Sequence, residues 1–243
     1  MLTSVKNIVA INFAGSVGKT TLAKHVLVPM MGNCLRVQIE SINNSAAGAD
    51  VEMDARHFDD LAEKMLLRDT NLVIDIGGSN VESTLSKMSK MAGIQDEIDR
   101  WIVPVDERTK VITDTLNTIK YLVNELLIEP SKITVVANNV EFPDEMKSKF
   151  AILFKASEVV GFNFSDYSIM KSDLFDAIKD DKRTVFEIVS DTTNYRLLIA
   201  QEQAADKNEA KLAEYTRALR HQMQAKSIVK NIQGVWANSM IAA

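Results

Sequence analysis

The segment "NIVAINFAGSVGKTTLAKHVL" (residues 7–27) constrains this chain more than any other. A short apolar run of strand character ends at a glycine-bearing bend, and helical spacing begins directly after it. Gly15 and Gly18 permit a tight bend that turns successive backbone N–H groups toward one concavity. The N-terminus of the following helix adds its partial positive charge there. Lys19 is placed to reach terminal phosphate oxygens, the Thr20 hydroxyl to ligate Mg²⁺, and Thr21 to donate to an inner phosphate. Gly15-Ser16-Val17-Gly18-Lys19-Thr20-Thr21 therefore reads as a phosphate-binding loop. A strict G-x-x-x-x-G-K-[ST] pattern fails at its first position, which is Phe13. The strand before and the helix after supply the context that Gly18-Lys19-Thr20 lacks alone. The competing reading is a plain strand-to-helix turn with a solvated lysine.

Further along, apolar runs and helical patterns alternate. "LRVQIE" (35–40), "LVIDIGG" (72–78), "RWIVPV" (100–105) and "KITVVANN" (132–139) read as strands. "TTLAKHVLVPMM" (20–31), "FDDLAEKML" (58–66), "TKVITDTLNTIKYLVNELL" (109–127) and "DLFDAIKDD" (173–181) read as helices, with Pro29 closing or kinking the first. Such alternation implies βαβ units and an α/β fold: a doubly wound, mostly parallel sheet whose ligand crevice lies at the carboxyl ends of the strands. The expected division is a nucleotide-binding domain over residues 1–192 and a helical extension over 193–243.

Asp75 ends an apolar strand before Gly77 and Gly78, where a carboxylate can hold Mg²⁺ through water; capping a turn is its other use. The lone cysteine, Cys34, excludes an intramolecular disulfide and suits a reducing cytoplasm. The amino-terminal apolar run is too short for a secretory or membrane segment. His25, His57 and His221 show no metal-ligand spacing. A net charge of −5 excludes a global basic field for nucleic acid, though not a local patch.

"GSVGKTT", "VQIESIN", "LVIDIGGS", "WIVPVDERTKVITDTLNTI" and "VVANN", in that order, resemble the ParA/MinD group of P-loop ATPases. The resemblance is closest to the StbB-type plasmid stability proteins. It implies ATP and Mg²⁺ as cofactors and a nucleotide-dependent homodimer that sandwiches two ATP molecules. It also implies a role in plasmid stability, partition, positioning or conjugative transfer, through a DNA-binding adaptor protein or direct DNA contact. Carried over by position, Gly15, Ser16, Val17, Gly18, Lys19, Thr20 and Thr21 form the loop, and Lys19 and Asp75 serve catalysis. Thr20, Asp75 and Glu40 serve the metal, and Asn138 reads the adenine edge. Asn138 equally suits a strand-end turn, and Glu40 a solvated strand end. Ala14 stands where the group carries the lysine that reaches the partner's phosphate site, and Ser16 replaces its second loop glycine. The group's D-x-D-P-Q element reads Glu40-Ser41-Ile42-Asn43. A cation supplied in trans stabilises the charge of phosphoryl transfer, so its loss predicts binding with slow hydrolysis, or a non-hydrolysing scaffold. Arg56, Arg100 and Lys110 are the candidate replacements, each also readable as a surface charge.

Residues 193–227 lack glycine and proline, and Leu198, Ala205, Leu212 and Leu219 fall seven apart, which predicts one long helix, packed on its own core or offering a seam to a partner helix. In "KSIVKNIQGVWANSMIAA" (226–243), Ile228, Val229, Ile232, Val235, Trp236 and Met240 share a helical face beside Lys226 and Lys230. That face suits docking on the core, a partner protein or weak contact with a membrane surface.

Overall fold

A computed structural model describes residues 5–40, 50–179, 181–205 and 208–240. Ser41, Ile42 and Asn43 of the expected D-x-D-P-Q element therefore lie outside the described residues. Among these residues eight strands form one sheet: β1 (Asn7–Ala10), β2 (Cys34–Ile39), β3 (Val51–Met53), β4 (Asn71–Ile76), β5 (Arg100–Val105), β6 (Ile133–Val140), β7 (Asn163–Phe164) and β8 (Ile169–Met170). Every pairing is parallel, in the order β3-β2-β4-β1-β5-β6-β7, with β8 also paired to β6. β1 lies between β4 and β5, so its carboxyl end opens where the winding reverses, which is where such sheets place their ligands.

Side-chain alternation gives the sheet two buried faces. Val9, Val37, Ile39, Ile74, Trp101, Val103 and Val135 enter the main apolar core. Against it pack α3 (Phe58–Leu67), α4 (Val81–Met88), α5 (Thr109–Asn124) and α7 (Ala151–Val160), the last preceded by the short α6 (Met146–Lys149). Phe58, Leu61, Ala62 and Met65 are buried on α3 as their spacing requires. The alternate residues, among them Ile8, Ala10, Arg36, Gln38 and Asp75, are also buried and lie outside that core.

The helix after the loop has three parts: α1 (Lys19–Leu22), a π-helical turn (Ala23–Leu27) and α2 (Val28–Met31). Pro29 has no N–H for the carbonyl four residues earlier, and the wider hydrogen-bond spacing upstream lets the helix pass it instead of ending.

The chain divides into two compact units, Met1–Lys171 with Asn231–Ala243, and Ser172–Lys230. The second unit contains α8 (Asp173–Ala177), α9 (Val185–Ser190), α10 (Tyr195–Ala204) and the first part of α11 (Glu209–Met240). Thr184 and Glu187 form a reciprocal capping box that starts α9. The expected single helix over 193–227 is broken between α10 and α11. Asn208 Oδ1 accepts from Lys211 N at 3.2 Å and so caps the second helix, which splits the heptad stripe at Ala205. In the first unit the end of α11 is docked. Ile232, Val235 and Ser239 are buried, Asn238 Oδ1 accepts from Asp166 N at 3.1 Å, and Gly234 lies so close to Tyr167 that a Cβ there would fall 2.4 Å from the ring. The apolar face considered for a membrane is thus turned inward over residues 231–240, and 241–243 lie outside the described residues.

Candidate functional site

β1 delivers the chain to Asn12, which is fully buried. Its Nδ2 donates to the Pro104 carbonyl and to Thr115 Oγ1, both at 2.8 Å, and its Oδ1 accepts from Ala14 N at 2.8 Å. Phe13 N donates to Thr118 Oγ1 at 3.0 Å. The root of the loop is therefore fastened to β5 and α5 by a buried polar network, which rigidifies because its members are mutually paired. The Phe13 ring, in the motif's usual glycine position, meets Tyr121 edge-on at 5.9 Å and packs against the core.

The loop reverses through Ser16 (φ 53) and Gly18 (φ 84), both left-handed. The left-handed φ at Gly18 calls for glycine, and a Cβ there would fall 2.0 Å from Asn138 Nδ2 and so displace that amide. Asn138 Nδ2 donates to the Val17 carbonyl at 2.9 Å, which ties the end of β6 to the loop. Arg108 Nη2 donates to the Ser16 carbonyl at 3.0 Å, while Arg108 Nε sits 2.9 Å from Asp106 Oδ2.

Lys19 opens α1 and is buried. Its Nζ donates to the carbonyls of Asn12 at 3.1 Å and Ala14 at 2.7 Å, so the ammonium lies across the mouth of its own loop. Burial lowers its pKa to about 8, and the charges of Asp75 and Glu40 pull the other way. Both carboxylates expected to serve the site are thus close enough to act on Lys19.

Asp75, 1% exposed, stands one residue before the end of β4, one strand over, in register with Ala10 of β1 and Gln38 of β2. Its Oδ2 lies 3.1 Å from Nη2 of Arg36, also 1% exposed, and its Oδ1 has no partner among the described residues. Glu40 accepts from Ser79 Oγ at 3.1 Å and covers Gly77, where a Cβ would fall 1.7 Å from Oε2. A Cβ on Gly78 would stand 3.1 Å from Gly15 Cα, so the loop after β4 and the phosphate loop touch backbone to backbone.

The structure therefore gathers Gly15, Ser16, Val17, Gly18, Lys19, Asp75, Glu40 and Asn138 at the carboxyl ends of β1, β4, β2 and β6. Thr20 and Thr21 occupy the first turn of α1, half-buried. The three candidate cations differ in placement. Arg56 is exposed and held by Asp54, Arg100 starts β5 at the opposite end of the strands, and Lys110 is exposed in the first turn of α5. Four partners escaped the sequence reading. An arginine inside an apolar strand was a signal for Arg36, and Asp106-x-Arg108 was one for Arg108. Nothing local marks Thr115 and Thr118 as the anchors of Asn12. Among the described residues no group of three or more His, Cys, Asp or Glu side chains is arranged to hold a metal.

No protein-family model matches the chain, and no curated protein matches its sequence. Solved structures do. A chain of the Aquifex aeolicus MinC:MinD cell division protein complex aligns with a TM-score of 0.53 at 12% identity, over 76% of this chain and 88% of that one. An ATP complex of a Cyanothece McdA variant aligns at 0.50 and 13% identity, over 93% and 97%. The pnob8 ParA aligns at 0.50 and 12% identity, over 94% and 98%. Parallel strands, a loop at the reversal of winding, helices on the sheet and a long C-terminal helix together give this chain the fold of the ParA/MinD-type P-loop ATPases.

Proposed function

We propose that the chain is an ATP-binding switch of the ParA/MinD type that acts in plasmid stability, partition, positioning or conjugative transfer. The observation that carries this reading is Lys19. A buried ammonium that bonds the carbonyls of its own loop, in a cup bounded by Gly15 and Gly18, suits exchange of those weak partners for phosphate oxygens. In this reading Asn138 serves first to brace the loop and second to edge the base.

Magnesium fits as a cation held mainly by the nucleotide. Thr20 would ligate it, and Asp75 Oδ1, a buried acceptor without a partner among the described residues, would take a metal-bound water. Bound there, the metal neutralises charge on the terminal phosphates. Glu40 stands further out and orders the Gly77–Ser79 loop. Ordering of that loop by the terminal phosphate is the proposed switch, read by a second copy of the chain and by a DNA-binding adaptor.

Hydrolysis is proposed to be slow. Ala14 is buried and brings no charge, and Arg108, a further cation on the loop, is neutralised by Asp106. The same observation favours the second reading, a nucleotide-binding scaffold without turnover. Fluorescent ATP titration and steady-state phosphate release, each with Lys19→Ala as control, test both. We expect wild type to bind ATP and the variant to bind it at least about 100-fold more weakly, as expected when a charged partner of the phosphates is removed. Equal binding by the two proteins would overturn the proposal, and phosphate release no faster than the variant's would leave the scaffold.

A further inference from the structure

Arg36 is the residue that the loop does not explain. It stands inside β2 at 1% exposure, between Leu35 and Val37. Its strand pairs with β4 so that Gln38 lies in register with Asp75, which places Arg36, Gln38 and Asp75 on one face of the sheet. Burying a guanidinium is expensive unless its charge is met and its N–H groups are paired. Here Nη2 meets Asp75 Oδ2 at 3.1 Å and Gln38 Oε1 only at 3.4 Å, and Nε and Nη1 have no partner among the described residues. As a purely stabilising device the pair is poor, since well-packed apolar side chains of similar volume do as well or better. What the pair does change is the neighbourhood of Lys19. The charge of Asp75 acts on Lys19 more strongly than that of Glu40. Yet Lys19 Nζ donates to the Asn12 and Ala14 carbonyls, and it forms no ion pair with either carboxylate among the described residues.

We propose, on the basis of the nucleotide-binding reading above, that Arg36 is a positioning residue for Lys19: by holding Asp75 Oδ2 it keeps the buried carboxylate from capturing the ammonium that serves the phosphates. Two sets of acceptors compete for Lys19. An ion pair with Asp75 in a poorly solvated place would be strong, whereas the two bonds to neutral carbonyls yield readily to phosphate oxygens. Geometry decides between them. Arg36 is fixed in β2 beside Asp75, while Lys19 reaches in from the first turn of α1 on a flexible four-carbon stem. The guanidinium therefore engages the charge that would otherwise draw Nζ. Oδ1 stays open for the metal-bound water assigned to it above, so the magnesium reading is unchanged. Without Arg36, Lys19 already lies within the field of Asp75, and a phosphate would have to break a buried ion pair before it could bind.

The test is a double-mutant cycle on the full chain, read as the Kd of a fluorescent ADP analogue in EDTA, which keeps the metal role of Asp75 out of the measurement. Arg36→Met should weaken ADP binding about tenfold in the wild-type background, and by less than about threefold in the Lys19→Ala background, where there is no ammonium to capture. Equal losses in the two backgrounds would be structural damage and overturn the inference. Arg36→Met/Asp75→Asn, which carries neither buried charge, should recover most of the affinity. A loss of about tenfold or more in that double variant means that Arg36 acts other than through Asp75, and it overturns the inference as well. The double variant decides the matter if Arg36→Met, which leaves Asp75 buried and unpaired, fails to fold by circular dichroism. Wild-type binding in Mg²⁺ but not in EDTA assigns the phosphates to the metal and not to Lys19, which overturns this inference and leaves the nucleotide reading standing. No binding under either condition overturns both.

Discussion

Lys19 gives the free protein a pH signature. Its ammonium is buried, and desolvation holds its pKa at about 8 against an ordinary 10.5. The unfolded chain therefore holds the proton through a window in which the folded chain has released it, so folding stability rises as pH rises from about 8 to about 10.5. Phosphate binding favours the charged form, so nucleotide binding in that window must take the proton back. ATP affinity should fall above pH 8 by up to about tenfold per pH unit, with proton uptake visible in calorimetry across buffers of different ionisation enthalpy. Affinity that stays flat to about pH 10 would remove Lys19 from the phosphate site. Ser16 makes a second residue-scale prediction. At φ 53 it holds a conformation that glycine adopts freely, and its tie to Arg108 runs through its backbone carbonyl, which a substitution keeps. Ser16→Gly should raise stability by about 0.5–1 kcal/mol in urea denaturation, the relief of left-handed strain less the entropy glycine adds to the unfolded chain. Gly18, Lys19 and Asp75 were readable because their pattern is local. Arg36 was not, since its meaning comes from a carboxylate 39 residues away that only the β2–β4 pairing brings near.

Among the elements, the contact between two loops matters most. Gly78 faces Gly15 closely: a Cβ there would stand 3.1 Å from Gly15 Cα, so Gly78→Ala would push the phosphate loop at its backbone by a few tenths of an ångström. Nucleotide affinity should drop about tenfold with little loss of helix content, measured by the fluorescent titration and circular dichroism on one sample. Gly77→Ala is the internal comparison. Its Cβ meets the carboxylate end of the Glu40 side chain, which can swing aside at the loss of its bond to Ser79, so its effect should be smaller. The strands that flank the loop were readable because apolar runs bounded by glycine or proline have few other uses. β3, β7 and β8 span three residues or two, too few to show a period. The break between α10 and α11 was missed because helix-forming composition hid a capping asparagine, Asn208, in the middle of the stretch.

For the whole molecule, the sequence suggested a boundary near residue 192, and by spatial contact residues 1–171 group with 231–243 while 172–230 form a second unit. Sequence periodicity shows which residues want burial but not which surface buries them, so the tail could be read as a membrane face. Ile232 and Val235 are buried within the first unit. A chain ending at residue 230 should therefore lose about 3–6 kcal/mol, or on the order of 10 °C in thermal denaturation. An unchanged melting temperature would mean that the segment is not docked in solution. No helix among the described residues is long and apolar enough to cross a membrane.

That arrangement bears on how the protein is made. The unit holding the phosphate loop combines strands translated before Ser172–Lys230 with α11 residues translated after it. The sheet and loop can form earlier, but the side chains of α11 that complete their burial arrive only after the intervening unit is produced. Ribosome-bound chains stalled before residue 231 should therefore be more protease-sensitive in the strands than chains from which the last turns of α11 have emerged.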